Sequence, residues 1–188
     1  MHSILTLRKK MRYQRQLLSE NAQCFAQQKV LHQIKELPEM LTAQKIGIYY
    51  ANEKEGELRT QKIIHYLWAQ GKEVYLPYIS SMKERKMRFF AYGPQSQLIK
   101  NKFGLWEPDI TKERSIEIDD MDLIFVPLVA FDKENHRIGM GGGFYDRILV
   151  NWQKNKKPLP IGLAHHCQYV DKIDVQIWDI PLAKVCYF

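Results

Sequence analysis

The segment Arg137-Ile138-Gly139-Met140-Gly141-Gly142-Gly143-Phe144-Tyr145-Asp146-Arg147 follows an apolar run over residues 123–129 that is typical of a buried strand. Its glycines leave backbone N–H groups uncovered in turn conformations that other residues resist. Such N–H groups bind phosphate, and a carboxylate just beyond them can hold the accompanying metal ion. The spacing matches neither the dinucleotide-binding fingerprint nor a P-loop. The segment therefore predicts an enzyme that uses ATP and magnesium, with a ligand-free tight turn as the alternative.

A strand–helix–strand unit precedes this segment. Residues 45–50 and 72–78 read as buried strands, and a helix over 58–70 that ends at Gly71 separates them. Such alternation is typical of a parallel sheet with crossover helices.

The rest of the pattern extends this arrangement. Residues 7–37 carry apolar side chains at helical spacing, and the break at Ser19 predicts two helices. Residues 161–164 read as a strand, 144–152 as the helix after the glycines, and 87–92 as a strand or edge hairpin. We expect an α/β fold with three layers, in which helices flank a largely parallel sheet and the active site lies in a crevice at the strand ends.

The composition of the whole chain predicts one ordinary globular domain over residues 1–188. The hydrophobic fraction is 45% and the charged fraction 26%. No apolar run is long enough to span a bilayer, and the N-terminus lacks the core of a signal peptide, so a cytoplasmic protein without a membrane partner is expected. A monomer is expected as well, since no coiled-coil heptad or obvious apolar patch is visible. The net charge of +7 favours anionic partners, without choosing among nucleotides, polyanionic small molecules and nucleic acid.

The cysteines Cys24, Cys167 and Cys186 are far apart and odd in number, which predicts neither a disulfide framework nor a zinc site. Cys167 does follow His165 and His166 directly. Adjacent residues on a strand point to opposite faces, so ordinary packing is favoured over a shared metal site.

Further motifs occur in order along nearly the whole chain. They are the Arg-rich residues 7–19, Glu57-Leu58-Arg59-Thr60, residues 71–77, Gly104-Leu105-Trp106-Glu107-Pro108, residues 126–132 ahead of the glycine segment, residues 164–168, and Trp178-Asp179-Ile180-Pro181-Leu182. In this order they resemble the 5-formyltetrahydrofolate cyclo-ligase family, also called 5,10-methenyltetrahydrofolate synthetases. The glycine segment followed by aromatic-Tyr-Asp is the most specific element.

The resemblance implies an ATP- and Mg²⁺-dependent conversion of 5-formyltetrahydrofolate, with or without a polyglutamate tail, to 5,10-methenyltetrahydrofolate. ADP and phosphate are released. ATP is the implied co-substrate and Mg²⁺ the implied cofactor.

The resemblance also implies residues for ATP and metal. The implied ATP-binding set is Arg8, Arg137, Gly139, Met140, Gly141, Gly142, Gly143, Phe144 and Tyr145. Arg137 and Asp146 are the implied catalytic residues, and Asp146 and Asp179 the implied metal ligands. By itself Asp146 reads as a helix-start carboxylate, and Asp179 as an ordinary loop acid.

The implied folate-binding residues are Tyr50, Glu57, Trp106 and Phe144. Glu57 would accept two hydrogen bonds from the amino-pyrimidine edge of the pterin. Its alternative role is a charge at a helix N-terminus. Trp106, in the loop-like stretch 103–108, would stack on the pterin or pack in the core. Phe144 replaces the first tyrosine of the usual Tyr-Tyr pair.

The chain departs from the family pattern at two further positions. Ile4 stands where a lysine is usual. Either Lys9 or Lys10 replaces that lysine, or the N-terminal contact with the nucleotide is lost. Gly142 stands where some relatives have lysine, so backbone donors and arginines would carry more of the phosphate binding.

Two other functions compete with this interpretation. The basic segment 8–15 favours a nucleic-acid-binding module, but no RNP, KH or zinc-finger pattern accompanies it, and we expect no nucleic-acid partner. Alternatively, the fold and ATP site are retained for another substrate, in which case ADP release would not depend on 5-formyltetrahydrofolate.

Overall fold

The computed structural model describes residues 4–101 and 104–188. Its helices are α1 (Ile4–Gln16), α2 (Glu20–Lys35), α3 (Glu39–Thr42), α4 (Gln61–Ala69), α5 (Phe144–Ile148) and α6 (Trp152–Asn155). Its strands are β1 (Lys45–Gly47), β2 (Glu73–Ser81), β3 (Lys86–Ala91), β4 (Leu98–Lys100), β5 (Trp106–Pro108), β6 (Ser115–Ile116), β7 (Leu123–Pro127), β8 (Ala130–Phe131), β9 (Arg137–Ile138), β10 (Leu159–Ala164) and β11 (Lys184–Tyr187). Three 3₁₀ helices lie at Glu53–Glu55, Ile118–Asp120 and His166–Gln168.

The main sheet has seven strands in the order β11-β10-β7-β1-β2-β3-β6. The strands from β11 to β2 are parallel to their neighbours. Strands β3 and β6 extend the β2 edge in antiparallel orientation. The pairs β4–β5 and β8–β9 form two small separate sheets. The largely parallel sheet expected from the sequence is therefore confirmed.

Alternating side chains of the central strands enter two cores on opposite faces of the sheet. Leu123 and Phe125 of β7 pack in the core that contains residues of α2 and α4. Ile124 and Val126 point to the other core, which contains Leu149 after α5. Since successive strand residues face opposite ways, one apolar run serves both layers of helices. The fold is the expected three-layer α/β arrangement.

The two helices predicted over residues 7–37 are α1 and α2. Ser19 begins the second, because its Oγ accepts a hydrogen bond from the Ala22 N–H at 3.2 Å. The helix predicted over 58–70 starts later, at Gln61. Thr60 Oγ1 donates to Tyr49 O at 2.8 Å, which ties the preceding residues to the end of β1 instead. Gly71 follows this helix with a φ of +68°, as its sequence position predicts.

Two other predictions about local structure were wrong, whereas the strand or edge hairpin predicted over 87–92 is confirmed as a strand. The single helix over 144–152 is α5 followed by α6, and Trp152 Nε1 donates to Pro181 O at 3.1 Å where the chain bends. Part of the loop-like stretch 103–108 is β5, which a long-range contact stabilises: Glu107 Oε1 accepts the Ile79 N–H at 3.1 Å. Strand β3 does form a hairpin with β2 but is no edge strand, since β6 pairs with its outer side.

Helix α1 lies across the carboxyl ends of the parallel strands, where it contacts the 3₁₀ helices Glu53–Glu55 and His166–Gln168. The hairpin β8–β9 separates β7 from the glycine segment and returns that segment to the same edge. In the described part of the chain, no helix has both the length and the apolar character to cross a membrane.

Candidate active site

The glycine segment forms an irregular turn between β9 and α5. Gly141 has a φ of +97° and Gly143 a φ of +65°, which side-chain-bearing residues rarely adopt. A methyl group on Gly142 would lie 2.7 Å from the Phe144 ring, whereas one on Gly139 would meet nothing within 4 Å. The turn therefore needs glycine at particular positions, and the Phe144 ring covers one side of it. Met140 is exposed.

Two arginines from distant parts of the chain flank this turn. Arg8 of α1 donates from Nε to Gly139 O at 2.8 Å, and its guanidinium lies 3.6 Å from a methyl group placed on Gly141. Arg85, in the β2–β3 turn, brings Nη1 within 3.7 Å of a methyl group placed on Gly143. Neither guanidinium has a carboxylate partner among residues 4–101 and 104–188. The turn is therefore positively charged on two sides, which suits an anionic ligand.

Arg137 and Asp146 form an ion pair beneath the turn. Arg137 Nη2 lies 2.6 Å from Asp146 Oδ1, with the Arg137 side chain 5% exposed and the Asp146 side chain 30% exposed. Arg137 Nη1 donates to Ile180 O, which links the pair to the segment after Asp179. Burial lowers the pKa of Arg137, and the negative charges of Asp146 and Asp179 oppose this.

The two predicted metal ligands therefore lie around the same arginine. Asp146 Oδ1 is held by Arg137, and among the described residues its Oδ2 accepts no hydrogen bond. Asp179 Oδ2 accepts the Gln176 N–H at 2.7 Å and closes its own turn. Carboxylate oxygens supplemented by substrate phosphates are ligands that Mg²⁺ prefers, so these residues fit a magnesium ion.

Glu57 lies close enough to Tyr145 to act on it electrostatically, as Arg137 of this ion pair does. Its Oε2 accepts the Asn52 N–H at 2.9 Å, and its side chain is only 15% exposed. Burial raises the pKa of Glu57, while Arg15 and the Asn52 N–H oppose the rise. Burial, with the negative charge of Glu57, raises the pKa of Tyr145, and Arg137 opposes that rise. Tyr145 thus interacts with Glu57, a candidate for folate binding, and with Arg137, a candidate for ATP binding.

Tyr50 and Trp106 share a cavity of about 210 Å³, together with Lys54, Gln61 and Lys100. Lys100 Nζ lies 4.6 Å from the Trp106 ring centroid. Trp106 is substantially exposed here, which disagrees with the alternative of core packing. Glu57 does not line this cavity, but Asn52, whose N–H it accepts, does. The structure therefore places the predicted folate residues in two adjoining groups.

Arg15 is a residue of this region to which the sequence analysis assigned no role. It is 1% exposed, and its Nη2 lies 3.8 Å from Glu57 Oε1. The sequence feature that could have indicated a buried role for Arg15 is its position one turn after Met11, on the inward face of α1. Arg85 offered no comparable signal, since it lies in the weakly patterned stretch between two strands.

Ile4 is the first residue of α1 and precedes Arg8 by one turn. Lys9 and Lys10 are exposed. Since residues four apart share a helix face, neither lysine occupies the face that Ile4 and Arg8 define. Replacement of the usual lysine by Lys9 or Lys10 stays a prediction.

Other potential metal ligands lie outside this site. In the described part of the chain, Asp132, Glu134 and His136 form one cluster of three such side chains, in the β8–β9 turn. Asp132 accepts backbone N–H groups there and so stabilises the turn. His165 is buried at the end of β10, and burial, assisted by Arg15, lowers its pKa to about 4.

Comparisons with known proteins agree with the motifs. The sequence profile of the 5-formyltetrahydrofolate cyclo-ligase family matches residues 2–188. A protein named 5-formyltetrahydrofolate cyclo-ligase from Haemophilus influenzae is 41% identical over 160 residues, which is 85% of this chain and 84% of the relative. A protein of the same name from Escherichia coli K12 is 38% identical over 174 residues, 93% of this chain and 94% of the relative.

Two solved structures have the same fold. The 5,10-methenyltetrahydrofolate synthetase of Aquifex aeolicus superposes with a TM-score of 0.82 at 30% identity, covering 99% of this chain and 90% of that one. A protein of the same name from Mycoplasma pneumoniae gives a TM-score of 0.78 at 22% identity, covering 98% of both chains, and supports the fold alone.

Proposed function

This chain belongs to the 5-formyltetrahydrofolate cyclo-ligase family of enzymes, and on that premise we propose that it converts 5-formyltetrahydrofolate to 5,10-methenyltetrahydrofolate with consumption of ATP. The family relation supports folate as substrate and ATP as co-substrate. The finer proposal concerns Mg²⁺, the chemical steps and the residues that perform them.

The observation that carries the proposal is the position of Tyr145. Its buried side chain interacts electrostatically with both Glu57 and Arg137. A pterin bound by Glu57 and a triphosphate bound by the glycine turn would therefore meet beside Tyr145. Such closeness is what transfer of a phosphoryl group between two bound substrates requires.

The first chemical step makes the formyl oxygen a leaving group. A formamide carbon is a weak electrophile because the N5 lone pair is delocalised into the carbonyl. The formyl oxygen attacks the γ-phosphorus, the bond to the bridging oxygen breaks, and ADP departs. Negative charge spreads over the phosphoryl oxygens, and donors fixed in advance stabilise it. Those donors are the N–H groups of the glycine turn and the guanidinium of Arg8.

The second step closes the ring. N10 attacks the formyl carbon, whose oxygen is now phosphorylated, and loses its proton. The carbon–oxygen bond breaks, and phosphate leaves with the bonding electron pair. The product carries a positive charge shared between N5 and N10. Glu57 holds the pterin through its amino-pyrimidine edge, and the aromatic side chains Tyr50, Trp106 and Phe144 contact its faces.

Asp146 and Asp179 would hold Mg²⁺. When bound, the ion would neutralise phosphate charge and orient the triphosphate. The Arg137–Asp146 ion pair orients one carboxylate for this purpose, so we assign Arg137 to the site through Asp146 as well as through its own charge.

The test is the absorbance of the methenyl-folate product. Protein, 5-formyltetrahydrofolate, ATP and Mg²⁺ are mixed, with each component omitted in turn and ADP release followed in parallel. We expect product only in the complete mixture, with one ADP per product. ADP release that ignores 5-formyltetrahydrofolate would instead favour an ATP-using relative with another substrate. The cytoplasmic location, the monomeric state and the polyglutamate tail stay predictions.

A further inference from the structure

Two arginines of α1 face two glutamates of the loop that follows β1. Arg12 forms a bidentate pair with Glu55, at 2.9 Å from Nε to Oε2 and 2.8 Å from Nη2 to Oε1. Arg12 therefore balances the charge of Glu55. Arg15, on the adjacent turn of the helix, faces Glu57 with Nη2 at 3.8 Å from Oε1.

Arg15 is buried, yet only two of its three guanidinium nitrogens are hydrogen-bonded. Nε donates to Glu55 O at 2.6 Å and Nη1 to Leu128 O at 3.1 Å. Nη2 has no hydrogen-bond partner within the described ranges 4–101 and 104–188. Arg15 lines a cavity of about 150 Å³, as do Gln23 and Glu57. A buried guanidinium bound by neutral carbonyls is unfavourable unless a negative charge lies close. Glu57 supplies that charge together with Glu55, whose Oε2 lies 3.9 Å from Nη2 but which Arg12 already pairs with.

Glu57 has few other charged or titratable neighbours. Tyr49 faces it from the end of β1, Tyr145 from α5, and Glu55 from its own loop. Within residues 4–101 and 104–188, Arg15 is the positive group whose charge acts on the pKa of Glu57. Burial raises the pKa of Glu57, and Arg15 provides the strongest opposing effect.

We propose that Arg15 is a positioning residue, whose buried guanidinium keeps Glu57 ionised and aimed at the amino-pyrimidine edge of the folate. This rests on the proposed function, because it assumes that Glu57 binds the pterin. The amino-pyrimidine edge presents N–H donors, which a carboxylate matches with two acceptors. A protonated acid would place its own O–H donor against one of them.

The test is direct binding of 5-formyltetrahydrofolate without ATP, measured by calorimetry from pH 6 to pH 9. The variants are Arg15→Met, Glu57→Gln and the double variant. Arg59→Met is the control, since Arg59 lines the same cavity but pairs with Glu20. For Arg15→Met we expect about tenfold weaker binding at pH 7, from the loss of charge-assisted recognition. Binding should recover as pH rises, because loss of the cation moves the pKa of Glu57 further up.

The double variant separates positioning from packing. If Arg15 acts through Glu57, Arg15→Met should cause no further loss in the Glu57→Gln background. Losses that simply add, with an unchanged pH profile, would overturn the proposal. If Glu57→Gln itself binds normally, or the wild type does not bind, the proposed function fails instead.

A measurement on the unmodified protein covers the case in which Arg15→Met does not fold. Carbon NMR of side-chain-labelled glutamate, with Glu57 assigned by the Gln variant, reports its ionisation directly. We expect a carboxylate at pH 7. A protonated Glu57 at that pH would overturn the proposal.

Discussion

Arg137 Nη2 lies 2.6 Å from Asp146 Oδ1, although the glycine turn separates the two residues in the chain. The turn folds back on itself so that the residue before the glycines orients the carboxylate after them. Ile180 adds a backbone N–H to the same oxygen at 3.4 Å. One oxygen of Asp146 is thus held by protein groups, which leaves the other for a ligand.

Asp146→Asn tests that assignment, because the amide keeps an oxygen for Arg137 but loses the charge that a cation needs. We expect kcat/KM to fall about 100-fold or more, and the Mg²⁺ requirement to rise. Product absorbance measured against Mg²⁺ concentration checks this. The control is Asp171→Asn, at an exposed acid. An unchanged Mg²⁺ dependence in the Asp146 variant would remove this residue from the metal site.

Arg8→Ala should weaken ATP binding, since the guanidinium lies against the glycine turn without a carboxylate partner in the described part of the chain. Loss of a charge-assisted contact predicts about a tenfold rise in the Kd for ATP. Calorimetry with a non-hydrolysable ATP analogue measures it. Lys29→Ala, at an exposed lysine of α2 that lies over the Phe25 ring, should bind as the wild type does. Equal losses in both variants would indicate a general charge effect instead.

Arg85→Ala should also weaken ATP binding, by a smaller factor because this side chain is exposed to solvent. Arg88→Ala provides the control on the same hairpin, since Arg88 donates to Ser115 Oγ at 2.9 Å. Comparing the loss of affinity for ATP with that for AMP shows whether Arg85 contacts the outer phosphates. A loss that is equal for both nucleotides would contradict contact with the outer phosphates.

Gly142→Ala should disturb the aromatic wall of the site. The added methyl group would lie 2.7 Å from the Phe144 ring, so the ring must move. We expect a several-fold rise in KM for 5-formyltetrahydrofolate, whereas Gly139→Ala should leave it unchanged because nothing lies within 4 Å. Steady-state kinetics of the two variants measure this KM. An equal effect at both positions would mean that backbone freedom, not the Phe144 contact, matters.

Asp122→Asn should destabilise the fold without changing the site, since Asp122 lies at the amino ends of β1 and β7. Its carboxylate accepts the Gln44 and Lys45 N–H groups at 2.8 Å and 2.9 Å and pairs with Lys157 at 2.7 Å. Burial opposes ionisation, but these partners outweigh it and lower the pKa of Asp122 to about 2. The variant should lose about 2 kcal/mol of unfolding free energy at pH 7.

The sign of its pH dependence follows from the lowered pKa. The stabilisation is complete above about pH 4, the ordinary range of an aspartate, and is lost as the pH falls towards 2. Urea unfolding should therefore show the wild type and Asp122→Asn converging over that interval. A constant difference between them down to pH 2 would contradict this account.

Much of the sheet was predictable from the sequence because its central strands are buried on both faces. The run at 123–127 is buried at every position but the last, Pro127, and such a continuous apolar run identifies a central parallel strand. Strand β11 was not predicted, since its residues are only partly apolar. Strands β5 and β6 were also missed. Strand β6 pairs with the more distant β3, and β5 pairs with the short strand β4 and is stabilised by the long-range hydrogen bond from the Ile79 N–H to Glu107.

The sequence by itself determined the glycine turn, its flanking Arg137 and Asp146, and the family to which these motifs belong, because those features depend on residues adjacent in the chain. Only the tertiary structure decided which charges meet. Arg15 faces Glu57, and Arg8 lies against Gly139, across distances in sequence that no local pattern spans. The physical reason is that helix α1 packs across the strand ends. Its position there is decided by the packing of the whole fold.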